Sequence, residues 1–250
     1  ISIAYEQIRL PDDSVPIRRP LSEIGGYLSA QIAARLLQNS EGGNGVLIGG
    51  VPGVPPAEVV IIGAGVAGSY AARSFLGMGA HVTILDTNIS ALQIVYDRAP
   101  GVVTMMSNSH NLHRACSFAD VVVGAVLKPG ERPPMIITRE MVRSMKPRSV
   151  LMDISIDEGG CVETSRPTTH EHPTFIEEGV IHYCVPNMSS IVARTATHAY
   201  LNAAFPYIQE IVNLGVESAI QANPAIEKGL GTYRGEIRNI STLSNNSDAE

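Results

Sequence analysis

The apolar positions in this chain change their period along its length, and the changes outline a fold. Ile1-Ser2-Ile3-Ala4-Tyr5 reads as a strand, followed by a connection punctuated by Pro11, Pro16 and Pro20. From Leu21 to about Gln38, Ile24, Leu28, Ile32 and Leu36 recur at the i, i+4 spacing of a helix with one buried face, and Ser22 stands where its cap would be. Residues 42–56 are rich in glycine and proline and are expected to be irregular. Beyond them, short apolar runs alternate with helical patterns. The runs predict strands at 57–62, 81–85, 102–105, 120–126, 149–154 and 180–185, with helices near 66–78, 88–97, 110–117 and 137–145. Strands that read as unbroken apolar runs belong to parallel sheets covered on both faces. The expected fold is therefore α/β, a doubly wound parallel sheet of Rossmann type.

After about Ile191 no further strand is read. Residues 195–221 predict one long helical stretch, with Tyr200, Ala203, Ala204, Tyr207, Ile208, Ile211 and Leu214 on a shared face. Pro206 is expected to kink it or to mark a join between two helices. With no strand of its own to cover, this segment is expected to pack on another lobe or a neighbouring subunit. The polar tail, residues 241–250, is expected to fray.

The run Val59-Val60-Ile61-Ile62 enters Gly63-Ala64-Gly65-Val66-Ala67-Gly68, a Gly-x-Gly-x-x-Gly turn between strand and helix. In such a turn Gly63 allows the tight bend, Gly65 lets backbone approach a pyrophosphate, and Gly68 lets the helix pack closely on the strand. The pyrophosphate would lie on free N–H groups at the positive end of the helix. The second strand ends in Asp86, near the roughly 20-residue offset of an acid that binds the adenosine ribose. A carboxylate there repels a 2′-phosphate, so NAD is expected rather than NADP.

Composition narrows the remaining classes. The formal charge of −6 argues against a nucleic-acid partner. Cys116, Cys161 and Cys184 are few, odd in number and widely spaced, which suggests reduced thiols and a cytoplasmic setting. No apolar run is long enough to span a bilayer, and no membrane association is expected. No metal site is read: His170 and His172 lie in a loop without ligand spacing, while His110, His113, His182 and His198 are scattered.

Several blocks carry a family resemblance. The run Gly45-Val46-Leu47-Ile48-Gly49-Gly50-Val51-Pro52-Gly53-Val54-Pro55-Pro56 resembles alanine dehydrogenase. So do Gly124-Ala125-Val126-Leu127, Met145-Lys146-Pro147, Asp157-Glu158-Gly159-Gly160-Cys161, Arg166-Pro167-Thr168-Thr169-His170 and Tyr183-Cys184-Val185-Pro186-Asn187-Met188. They occur in order across nearly the whole chain. The resemblance implies NAD as cofactor and oxidative deamination of L-alanine to pyruvate and ammonia. It implies a homo-oligomer, commonly a hexamer. It also divides the chain into an NAD-binding domain at 17–193 and a remnant of the substrate domain at 1–16 and 194–250.

Carried over by position, the cofactor contacts are Ser22, the turn residues with Val66 and Ala67, Asp86, Ser107, Val126, Leu127, Ile154, Ser155, Ile156, Asp157, Arg166, Val185, Pro186, Asn187 and Met188. Asp157, at a strand end beside Gly159-Gly160, is the candidate catalytic group; otherwise it would only cap the following turn. Ala91 departs from a basic residue frequent in the family, Pro186 from alanine, and Ser189-Ser190 from proline and a small residue. The chain opens on Ile1 and is expected to lack most of the first lobe, from which the family draws a histidine, an arginine and a lysine. It is expected to bind NADH but to oxidise alanine poorly by itself. Other readings stay open: the NAD(H)-binding component of a proton-translocating transhydrogenase, another amino-acid dehydrogenase of saccharopine type, or an NAD-binding module without turnover.

Overall fold

The computed structural model describes residues 1–127 and 132–239. Strand β1 (Ser2–Ile3) and helix α1 (Arg19–Leu36) precede an alternation of β2 (Glu58–Ile62), α2 (Val66–Gly77), β3 (His81–Asp86), α3 (Ile89–Arg98), β4 (Val103–Met106), α4 (Ser109–Phe118), β5 (Val121–Gly124), α5 (Arg139–Arg143) and β6 (Val150–Asp153). Then come β7 (Thr174–Glu177), β8 (Val180–Tyr183), α6 (Ala193–Leu214), α7 (Val216–Ala222), α8 (Pro224–Lys228), β9 (Leu230–Tyr233) and β10 (Glu236–Ile237). The chain divides into two units, Glu23–Ser189 and Ile1–Ser22 with Ser190–Glu250.

In the larger unit β2 is central because it is apolar on both sides: Val59, Val60, Ile61 and Ile62 are all at most 1% exposed. Ile61 lies under α2, close to Gly68. Val60 and Ile62 turn the other way, into a cluster with Val122, Leu151, Leu112, Cys116 and Met141. Burying each such aliphatic side chain contributes roughly 1.5–3 kcal/mol. The sheet runs β4-β3-β2-β5-β6-β8-β7, parallel except for β7 against β8. The chain winds outward from β2 to β4, then crosses back to β5. The connections that leave the carboxyl ends of β2 and β5 therefore run to opposite sides of the sheet, and the crevice between them is the place where such sheets bind ligands.

Strand β7 was not foreseen. Thr174-Phe175-Ile176-Glu177 turns back through Glu178 and Gly179, both at positive φ, and closes the sheet with an antiparallel edge. Arg139 Nη1 pairs with Glu177 Oε1 at 2.6 Å and Glu178 Oε1 at 2.8 Å, and Arg143 Nε pairs with Glu178 Oε2 at 3.0 Å. Arg143, then Arg139, holds the Glu178 carboxyl down at about 2.

Helix α1 corrects the expected cap. It starts at Arg19, not after Ser22, and the Ser22 N–H already donates to the Arg18 carbonyl at 3.2 Å. Pro20 fits in the first turn because its missing N–H would have no helical acceptor there. The buried face is also more finely built than the predicted Ile24, Leu28, Ile32, Leu36 stripe. Gly26, Ser29, Ala30 and Ala33 are buried, while Ile24 and Ile32 are only half-buried. These small residues let α1 approach α2: a Cβ on Gly26 would strike the Ala67 carbonyl and Tyr70. Tyr27 and Tyr70 meet edge-on beside it, centroids 5.2 Å apart.

The smaller unit has a sheet that the helical reading left out, β1-β9-β10. The expected first strand is cut to Ser2–Ile3, and Tyr5–Gln7 forms a 3-10 turn. Strands β9 and β10 join through Arg234 and Gly235, both at positive φ, as a tight hairpin requires. Ile8, Ile17, Ala204 and Ala225 form the core, with Tyr200, Ala203, Tyr207 and Ile208 against it. Helix α6 runs through Pro206. The lost hydrogen bond is offset by the buried contacts on either side, and the join falls instead at Gly215, whose φ of 77° and ψ of 153° end the helix. The tail at 241–250 lies outside the described residues. Among the described residues no helix is long and apolar enough to cross a membrane.

Candidate functional site

The glycines of the β2–α2 turn serve different needs. Gly63 has φ +107°, and a Cβ there would run into the Ala125 carbonyl at the end of β5. A Cβ on Gly68 would strike the Gly63 carbonyl, so helix and strand pack as closely as backbone allows. Gly65 is different: it is exposed, its φ is −70°, and a Cβ would meet nothing within 4 Å. No side chain caps α2 at Gly65. Ser69 Oγ donates to the Gly65 carbonyl at 2.7 Å, which leaves the first-turn N–H groups of Val66 and Ala67 at a positive helix end.

Asp86 ends β3 beside this turn. Its Oδ2 accepts from Ala64 N–H at 2.6 Å and its Oδ1 from Asn88 N–H at 2.8 Å. The Asp86 carbonyl takes the Ser107 N–H at 2.9 Å, so strand pairing brings Ser107 to the same edge. Ala91, at the start of α3, donates its N–H to Asn88 Oδ1 at 3.3 Å.

Across the crevice the connections pass through side chains. Ser155, buried after β6, accepts from Val126 N–H at 2.9 Å. Asp157 lies exposed in the short turn Ile156–Glu158, and its Oδ1 accepts from Asn187 N–H at 2.8 Å. Asp157 therefore ties the loop after β6 to the loop after β8. Asn187 holds φ +50°, a conformation that asparagine tolerates better than most residues. Val185 and Met188 are buried and Pro186 half-buried; Met188 Cε lies 3.7 Å from where a Cβ on Gly25 would stand. Ile154 and Val126 are half-buried, Ile156 is buried and Leu127 is exposed.

The hydrogen bonds of Asp86, Ser155 and Asp157 given above do not involve Arg166 or Ser22. The Arg166 guanidinium lies over the Phe175 ring, 4.2 Å from its centroid, and Phe175 in turn stacks on His182 at 4.8 Å. Ser22 is half-buried in the first turn of α1 and belongs to the smaller unit.

Two buried groups were given no role in the sequence reading, Asp153 unmentioned and His182 weighed only as a metal ligand. Asp153 ends β6 at 1% exposure, and the signal was present: a lone acid closing the apolar run Val150-Leu151-Met152. His182 is fully buried in β8, its Nδ1 3.0 Å from the Val180 carbonyl and its Nε2 2.7 Å from Thr164 Oγ1. A carbonyl only accepts, so Nδ1 carries a hydrogen; in the neutral ring that burial favours, Nε2 then accepts from the Thr164 hydroxyl. Burial pushes its pKa below the ordinary value. The cysteines are poor nucleophiles: burial lifts Cys116 to about 12 and Cys184 to about 11, and Cys161 rises as well. Among the described residues no group of three or more His, Cys, Asp or Glu is arranged to hold a metal ion.

The family model for the alanine dehydrogenase/PNT C-terminal domain matches residues 29–240. The chain belongs to this family. It is 50% identical over 237 residues to an alanine dehydrogenase of Methanococcus maripaludis, a match covering 94% of this chain and 64% of that protein. It is 48% identical over 237 residues to an alanine dehydrogenase of Mycobacterium tuberculosis, with the same coverage. The chain thus spans under two thirds of the length of these family members. Among solved structures, an L-alanine dehydrogenase superposes with a TM-score of 0.92 at 42% identity, covering 97% of this chain and 67% of that one. A transhydrogenase from Sinorhizobium meliloti reaches 0.72 at 23% identity over 88% of this chain and 62% of that one, a likeness of fold alone.

Proposed function

We propose that this chain is the dinucleotide-binding portion of an NAD-dependent alanine dehydrogenase. The observation that carries the reading is Gly65. The fold explains Gly63 and Gly68 by collision with neighbouring backbone, but no described residue comes within 4 Å of where a Cβ on Gly65 would stand. A glycine at the exposed mouth of an uncapped helix suits close approach by a diphosphate, which would take the Val66 and Ala67 N–H groups. The unit Glu23–Ser189 would hold the dinucleotide, and Ile1–Ser22 with Ser190–Glu250 would be the remnant of the substrate lobe. The dehydrogenases at 48–50% identity support L-alanine, pyruvate and ammonia as the reactants. A transhydrogenase role draws only on the shared fold.

In this reading Asp86, with Ser107 beside it, would serve the adenosine ribose. Val126, Leu127, Ile154, Ser155 and Ile156 would flank the cofactor on the other side, with Val185, Pro186, Asn187 and Met188 beyond them. Ser22 and Arg166 complete the proposed contacts. Bound NAD would take the hydride from Cα of alanine, after which water displaces nitrogen to leave pyruvate, ammonia, NADH and a proton. Asp157 would hold a proton near the amine and the attacking water, its carboxylate oriented by Asn187 N–H. Exposed Leu201, Phe205 and Val212 on α6 support a homo-oligomer, in the family's manner a hexamer, and the buried free thiols support a cytoplasmic setting.

Fluorescence titration with NADH and NADPH tests the cofactor, and alanine-dependent NADH formation by the full-length protein tests the reaction. NADH is expected to bind about 10-fold or more tightly than NADPH, as a ribose-binding carboxylate implies. Binding of neither nucleotide overturns the reading.

A further inference from the structure

Asp153 is a buried carboxylate outside every role given above, and everything around it donates. Ser155 N–H reaches Oδ1 at 3.1 Å and Cys161 N–H reaches Oδ2 at 3.0 Å. Cys161 Sγ stands 3.7 Å from Oδ1, and Ser165 lies near enough to favour the charged carboxylate. Glycines clear the space: a Cβ on Gly160 would sit 2.7 Å from Asp153 Oδ2, and one on Gly124 2.6 Å from Cys161 Sγ. Burial raises the pKa of this carboxyl above its ordinary value, and Ser165 with the Cys161 and Ser155 bonds opposes that rise.

An apolar side chain would fill this space without the desolvation a carboxylate suffers. What the carboxylate adds is connectivity. The N–H groups it accepts lie at opposite ends of the 155–161 loop. Inside that loop, Ser155 Oγ takes the Val126 N–H and Asp157 Oδ1 takes the Asn187 N–H. Three loops, those after β5, β6 and β8, are thus referred to one buried anchor.

We infer that Asp153 is a positioning residue: by clamping the 155–161 loop from beneath, it sets Ser155 and Asp157 in register with the loops after β5 and β8. The inference rests on the dehydrogenase reading above. It predicts a specific division of labour. The glycine turn and Asp86, across the crevice, keep the dinucleotide bound, while the clamp aligns the groups that face the reacting end.

The test uses the full-length protein with Asp153→Asn, which keeps the shape but turns one acceptor into a donor facing an N–H. NADH affinity is expected within about 3-fold of wild type, while kcat per NADH-binding site falls on the order of 100-fold, as small displacements of aligned groups do. Asp153→Ser, whose hydroxyl can still accept from one of the two N–H groups, is expected to lower kcat about 10-fold in the same pattern. If Asp153→Asn does not fold, Asp153→Ser decides alone. Unchanged kcat per binding site in every folded variant, even with a lowered melting temperature, overturns the inference and leaves Asp153 a packing residue. Failure of the wild-type protein to bind NADH or oxidise alanine removes the dehydrogenase reading instead, and this inference with it.

Discussion

The two banks of the crevice are built on different principles. On the β2–β4 bank the contacts are backbone groups and glycines: Gly63, Gly65 and Gly68 shape the turn, and Asp86 reaches only neighbouring N–H groups. On the β5–β8 bank, side chains from distant positions hold the loops: Asp153 clamps Cys161, Ser155 takes Val126, and Asp157 takes Asn187. The first bank depends on what is absent from the glycines. The second depends on side-chain acceptors, Asp153 and Ser155 buried and Asp157 exposed; removing a buried one leaves its partner unpaired, at about 1–3 kcal/mol each. Binding should therefore fail through the first bank and turnover through the second.

Asp157→Asn gives the largest separation. Asparagine Oδ1 still accepts the Asn187 N–H, so the loops stay tied and only proton transfer is lost. In the full-length enzyme kcat is expected to fall about 10²–10⁴-fold, with NADH titrations nearly superimposable on wild type. Gly65→Val should do the reverse. The Cβ it adds meets no described residue, so the fold loses about 1 kcal/mol, whereas NADH affinity falls on the order of 100-fold. Gly68→Ala is the control from the same turn: collision with the Gly63 carbonyl lowers stability by about 1–3 kcal/mol, read in a thermal melt. Next in size, Asp86→Ala should weaken NADH about 10-fold and erase most of the preference over NADPH. A variant that binds both nucleotides as before would remove Asp86 from the site.

The smallest effect is a pH dependence. The folded His182 titrates below its unfolded value of 6.5, so the neutral ring is the one the fold accepts. Its contribution is intact above 6.5 and is lost as pH falls from there towards the folded value. Asp153, raised by burial, works in the opposite sense on acidification. Melting curves of wild type and His182→Asn between about pH 7.5 and pH 5 isolate the histidine, and the variant should show the shallower fall. Parallel curves would mean that His182 does not titrate differently on folding.

The first bank was legible because its signals are local. An apolar run, a glycine turn and an acid at the next strand end fit within one βαβ unit, and β2, α2 and β3 lie where the pattern puts them. The second bank is set by tertiary pairing. The resemblance located its residues, but nothing in the spacing of Asp157 and Asn187 states that one bonds the other. Strand β7 was missed for a related reason: four residues offer too little periodicity, and its place is fixed by pairing with β8. The Ser22 cap failed, and of the two expectations for Pro206 the join did, because prolines were read as breakers. Pro20 sits where a helix needs no donor, and Pro206 is carried by the packing of Tyr200, Ala203 and Tyr207. Asp153 carried a sequence signal, but the exposed acid four positions on, in the familiar block, drew the assignment.

The ion pairs between Arg139 and Arg143 of α5 and Glu177 and Glu178 at the end of β7 have a consequence for the protein in a crowded solution. Exposed ion pairs add little to stability by themselves. At the margin of a sheet they hinder the docking of a foreign strand, and the short reversed strand there offers little backbone to copy. Among the described residues the opposite margin, β4, carries no such ion pairs, and Val103 and Met106 stand exposed along it. Should this unit be heated until its margins loosen, clumping will begin at β4, and a lysine in place of Val103 will delay it.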